Sequence, residues 1–141
     1  MRETFLYIRG GTAVSSDQDE TSGSIMYPLS SFRGMTAGDA VAGGTGAITD
    51  DDDRFTMFFL PMSVAGAGTG AAATATDDDM DVVVFDVTSG DFDFKALYEE
   101  LIMHINGGPH ATGMITVYDG VTSTGLTGIT GIHQVTIAAV D

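Results

Sequence analysis

Two stretches constrain this chain more than any others, "ITDDDDRFTMFFLPMS" and "ATDDDMDVVVFDV". In the first, Asp50 to Asp53 stand directly before an apolar run from Phe55 to Met62. In the second, Asp77 to Asp79 and Asp81 precede Val82 to Phe85. Side chains alternate across a strand, so Phe55, Met57 and Phe59 share one face while Phe58 and Leu60 take the other. Val83, Phe85 and Val87 likewise oppose Val82, Val84 and Asp86. Strands that are apolar on both faces need cover on both. "ETFLYIRG" repeats the problem near the N-terminus, with Phe5 and Tyr7 on one face and Leu6 and Ile8 on the other.

The remaining chain reads mainly as strands and turns. "SIMYPLSSF" is a short extended piece that Pro28 confines to a sheet edge. The stretches 34–50 and 63–76 are rich in Gly and Ala and read as long loops, or as arms lying against something else. "DFKALYEELIMHING" is the one good helix, near residues 92–106. Asp91 or Asp93 can cap it, Phe94, Leu97 and Leu101 form its apolar stripe, and Tyr98, Ile102 and Ile105 broaden that stripe. Asn106-Gly107-Gly108-Pro109 stops it. "GMITVYDG" and "GIHQVTIAAV" close the chain as strands, with a turn-rich segment between them. The expectation is a single α+β domain over 1–141, mainly antiparallel β, sandwich-like, with its sheet covered in part by one helix. The repeated order of acidic cluster, apolar strand and small-residue tail suggests that the two hydrophobic strands form a hairpin.

A length of 141 residues suits one core. The net charge of −15, from 20 acids against Arg2, Arg9, Arg33, Arg54 and Lys95, repels phosphates and anionic lipid. Neither nucleic acid nor a membrane is therefore an expected partner. With no cysteine there is no disulfide framework and no thiol chemistry. "MRETFLYIRGG" has too short an apolar run for a signal peptide, and no stretch approaches the length of a membrane span. Folding in the cytoplasm is the corresponding expectation.

The carboxylates raise the question of a cation. Ca²⁺ takes six to eight oxygens from a loop bent around it. "DQDETSG" comes nearest to such a loop, but its Gly23 falls one place late and Pro28 occupies the position of the distal Glu. Asp50 to Asp53 and Asp77 to Asp79 are contiguous, so neighbouring side chains in an extended run diverge. Asp17, Asp19, Asp51, Asp53, Asp77 and Asp79 are weak metal candidates, with Ca²⁺ the implied ion. The competing reading, a solvated guard on a sticky strand, is favoured. His104, His110 and His133 have no ligand spacing, no Ser has a nucleophile context, and the Gly-rich segments lack the Lys-Ser/Thr of a phosphate loop. No catalytic or cofactor-binding residue emerges, and no enzyme is expected.

One helix cannot cover every apolar face, and exposing a large apolar side chain forfeits about 1.5–3 kcal/mol. Phe5, Tyr7, Phe55, Met57, Phe58 and Phe59 are therefore candidates for a subunit interface, with acidic loops turned to solvent; the alternative is a compact sandwich that buries both faces within the chain.

In outline the chain resembles small capsid decoration or cement proteins of marine tailed phages. The residues carrying the resemblance are "LYIRGGTA", "FDVTSGDFDFKALYEELIMHINGGP", "GMITVYDGV" and "IHQVTIAAVD". It implies a virion-surface structural role, a symmetric oligomer, contacts with its own copies and a capsid or other protein lattice, and no catalytic residues. Alternatives are a Ca²⁺-dependent binding or adhesion module and an extracellular filament subunit. The filament would form by exchange of the N-terminal strand, and deleting residues 1–9 would leave the rest folded.

Overall fold

A computed structural model describes residues 3–18, 23–40, 48–49, 54–61, 80–88, 92–107 and 113–136. The strands are β1 (Phe5–Arg9), β2 (Ile25–Pro28), β3 (Phe32–Ala37), β4 (Asp39–Ala40), β5 (Ile48–Thr49), β6 (Arg54–Phe59), β7 (Asp81–Val87), β8 (Met114–Asp119), β9 (Thr124–Gly125) and β10 (Ile129–Thr136). One helix, α1 (Phe94–Asn106), lies between β7 and β8 in the chain. The fold is α+β and mainly antiparallel β.

Two sheets share the core, in keeping with the sandwich-like, mainly antiparallel arrangement with one helix that the sequence suggested. The first has the order β2-β1-β8-β9 and the second β10-β7-β6-β3, while β4 and β5 form a small separate ribbon. Among the described residues all pairings are antiparallel except β1 with β8, which run parallel. β6 and β7 pair as the repeated composition suggested, from Arg54 opposite Asp86 to Phe59 opposite Asp81. β2 lies at a sheet edge and ends at Pro28, as a residue without an N–H requires.

The alternating residues meet between the sheets. Leu6 and Ile8 from β1, Tyr27 from β2 and Val117 from β8 face Phe55, Met57, Phe59, Val83 and Phe85 from the second sheet. Leu97 and Leu101 of α1 join the same cluster. Phe55 and Phe85, opposite each other in the ladder, stack with centroids 4.7 Å apart. Tyr27 stacks on Phe59 across the two sheets at 4.0 Å, and its hydroxyl donates to Asp81 Oδ2 at 2.7 Å. Tyr27 and Asp81 are both buried, and burial, that hydrogen bond and the carboxylate charge together raise the Tyr27 pKa far above its ordinary value.

Phe55, Met57 and Phe59 are therefore not interface residues. Each is 0% exposed within the single chain, because the first sheet supplies the cover that a lone helix could not. Phe58 points the opposite way and packs with Val82 and Val84 on the outer face of the second sheet. That face is covered too. The chain turns at Gly38, whose φ of +102° suits glycine, and β4 comes to lie against β6 and β7. Thr56 Oγ1 donates to the Gly38 carbonyl at 2.9 Å, and Thr56, Val82 and Val84 are buried. The start of the stretch expected to be a loop or arm is thus β3 followed by β4, and β4 packs on the chain's own sheet. The stretch 63–76 lies outside the described residues.

Asp93 caps α1 by accepting from Ala96 N at 3.1 Å, and Gly107 ends it. Leu97 and Leu101 are buried as the stripe requires, but Ile102 is 52% exposed, since the helix meets the core along a narrow seam. β1 sits between β2 and β8 and pairs with both, carrying Leu6 and Ile8 into the core. Deleting residues 1–9 would open the first sheet, contrary to the expectation that the rest stays folded.

Candidate interaction face

The first sheet turns a second set of side chains away from the core. Alternation in β1 directs Phe5, Tyr7 and Arg9 outward once Leu6 and Ile8 are committed inward. Register then aligns neighbours on the same face. Phe5 stands between Pro28 of β2 and Met114 of β8, and Tyr7 stands between Met26 and Thr116. Phe5, Tyr7, Pro28, Met114 and Thr116 are half-buried, and Met26 is 43% exposed. The face is aromatic, thioether and methyl in character, on a flat three-stranded surface.

Its charge is confined to one end. Arg9 Nε lies 3.2 Å from Asp17 Oδ1, its Nη2 donates to Asp17 Oδ2 at 3.3 Å, and its Nη1 is 3.6 Å from Asp119 Oδ1. The guanidinium also lies 5.9 Å from the Tyr7 ring centroid. Asp119 Oδ1 accepts from Val121 N at 2.9 Å and Thr122 N at 3.3 Å, which orders the turn after β8. Asp17 is thus the ion-pair partner of Arg9 in the β1–β2 connection. Asp19, Asp51, Asp53, Asp77 and Asp79 lie outside the described residues. Among the described residues no group of three or more His, Asp or Glu is placed to hold a metal ion.

The described histidines stand apart. His104 Nε2 is 3.9 Å from Glu100 on α1, and His133 Nδ1 on β10 is 4.0 Å from Asp86 on β7. His110 lies outside the described residues. Asp86 also receives Arg54 Nε at 3.1 Å across the β6–β7 ladder, an ion pair at the part-exposed end of the second sheet.

Of the six interface candidates, the structure places Phe5 and Tyr7 together on this outer face. It assigns Phe55, Met57 and Phe59 to the core and Phe58 to the covered outer face of the other sheet. Met26 and Met114 belong with Phe5 and Tyr7, and sequence reasoning missed them. Alternation in "SIMYP" marks Met26 as opposite to Tyr27, but only the strand register joins it to Tyr7.

Comparison with protein-family models, with curated proteins and with solved structures found no match to this chain. The described residues form a mainly antiparallel domain of two main sheets with one α-helix and a part-exposed apolar outer face on the first sheet.

Proposed function

We propose that the chain is a structural subunit that works by assembly, of the capsid decoration or cement type that its sequence resembles. In this reading it occupies a virion surface, contacts its own copies and a protein lattice, and performs no chemistry. The observation that carries the proposal is the outer face of β2, β1 and β8. In a chain with 20 acids, Phe5, Tyr7 and the positions beside them, Met26, Pro28, Met114 and Thr116, carry no charge, and at the end of the face Arg9 is paired with Asp17 and with Asp119 of β8. Copies that each bear −15 repel one another over most of their surface, so close approach favours a face without carboxylates. Burying Phe5, Tyr7 and Met26 there supplies the hydrophobic driving force.

Light scattering coupled to size separation, with Ca²⁺ and again with chelator, tests this reading. Wild-type protein should exceed monomer mass in both conditions, and Tyr7→Glu should return it to monomer with little change in melting temperature. A wild-type monomer in both conditions would sink the proposal. Assembly only with Ca²⁺ would transfer it to the ion-dependent binding module.

A further inference from the structure

A groove of about 410 Å³ opens beside β9 and the β9–β10 turn. Tyr118, Ser123, Thr124, Leu126, Thr127 and Thr130 line it, with glycine backbone between them. Its volume falls in the range of small-molecule sites, roughly 300–1,000 Å³.

The walls are held by three separate elements. From α1, the Glu100 carboxylate accepts from Thr127 N at 3.0 Å and from Thr127 Oγ1 at 3.3 Å. Just after β7, Thr88 donates from N at 2.9 Å and from Oγ1 at 3.1 Å to the Gly128 carbonyl. On β8, Tyr118 donates its hydroxyl to the Thr130 carbonyl at 3.2 Å, and the Val117 carbonyl accepts from Leu126 N at 2.9 Å. The turn admits only glycine at Gly125 and Gly128. Both have positive φ, and a Cβ would strike the Val117 carbonyl at the first and the Phe92 ring at the second. A groove tied in this way is preorganised, which lowers the ordering cost of binding.

The lining chemistry narrows the ligand. It contains no ionisable acid or base apart from the Tyr118 phenol. Charged ligands would find no countercharge in the lining, and anions would meet the field of a −15 chain. What the lining offers is hydroxyls that both donate and accept, together with the ring of Tyr118. A pyranose ring has the matching pattern, with hydroxyls around its rim and C–H groups on its faces. We propose that this groove binds a neutral saccharide unit, held by the Ser123, Thr124 and Thr130 hydroxyls against Tyr118.

The test is amide-shift mapping of the full chain titrated with glucose, galactose, mannose and N-acetylglucosamine, with glycerol as a control polyol. At least one sugar should give saturable shifts confined to Tyr118 and residues 123–130 at millimolar concentrations. Thr130→Val, which removes one hydroxyl at nearly constant volume, should weaken that sugar about tenfold. Thr124→Phe should abolish binding by filling the groove, and thermal melts of both variants check that they are folded. The proposal is overturned if no sugar shifts these residues, if glycerol does so as strongly as the sugars, or if folded Thr130→Val binds like wild type.

Discussion

The two sheets carry the same kind of sequence and treat their outer faces in opposite ways. On the second sheet, Val82, Val84 and Thr56 point away from the core yet remain buried, with Phe58 packed against them and β4 beside them. On the first, Phe5, Tyr7 and Met26 also point away from the core, but they stay part-exposed. The difference does not lie in side-chain hydrophobicity, since a phenylalanine appears on both faces. It comes from connectivity. β3 leads at Gly38 into β4, which lies against β6 and β7, whereas β1 and β8 pair directly with each other and with the short β2 and β9. A strand that is apolar on both faces therefore announces a need for cover, and the connections decide whether the same chain meets it.

That contrast can be tested by substitution. The largest loss is expected between the sheets, where Phe85 is fully buried and stacked on Phe55. Phe85→Ala should cost about 3–5 kcal/mol in urea denaturation. A cost near that of a surface change would mean that the sheets are not packed face to face.

The two outer faces come next, compared through matched changes to threonine. Val84→Thr puts a hydroxyl into the covered face and should cost about 1–3 kcal/mol. Met26→Thr, on the part-exposed face, should stay within about 0.5 kcal/mol for the monomer. Equal costs would erase the distinction. A Met26→Thr penalty that grows with protein concentration would sharpen it, because burial of Met26 would then occur in an assembly.

A pH-dependent effect concerns the bond that joins the sheets. Tyr27 keeps its proton in the folded state far above its ordinary pKa of 10.0, through burial and the bond to Asp81. Above that pH the unfolded chain loses the proton while the folded chain retains it. Stability present below pH 10.0 therefore falls as pH rises, with a slope approaching about 1.4 kcal/mol per pH unit. Urea midpoints of wild type and Tyr27→Phe, measured on both sides of that pH, check this. The variant should be weaker at neutral pH and should lack this part of the alkaline decline. Parallel curves would show that the Tyr27 proton is not linked to folding.

Elements whose signal is local were legible in the sequence. Asp93, the Leu97–Leu101 spacing and Gly107 define α1, because capping, a periodic stripe and a stop all act within a few residues. Alternation in β1, β6 and β7 likewise separated one face of side chains from the other. The candidate face was legible only in part. Phe5 and Tyr7 could be picked out, but Phe55, Met57 and Phe59 carry the same local signature and belong to the core. The hydroxyl groove left no local mark, since Tyr118, Thr127 and Thr130 are brought together by a hairpin and by a contact from Glu100 on α1.

By itself the sequence determined the strand character, the single helix with its cap, the two-faced hydrophobicity and the strong negative charge. These depend on side-chain period and composition, which any conformation of the chain preserves. Only the tertiary structure decided which strands make up each sheet, that β1 lies parallel to β8, and that Tyr27 reaches Asp81. It also decided which apolar face is left open. All of these depend on register and on where connections cross, and residues far apart in sequence set them jointly.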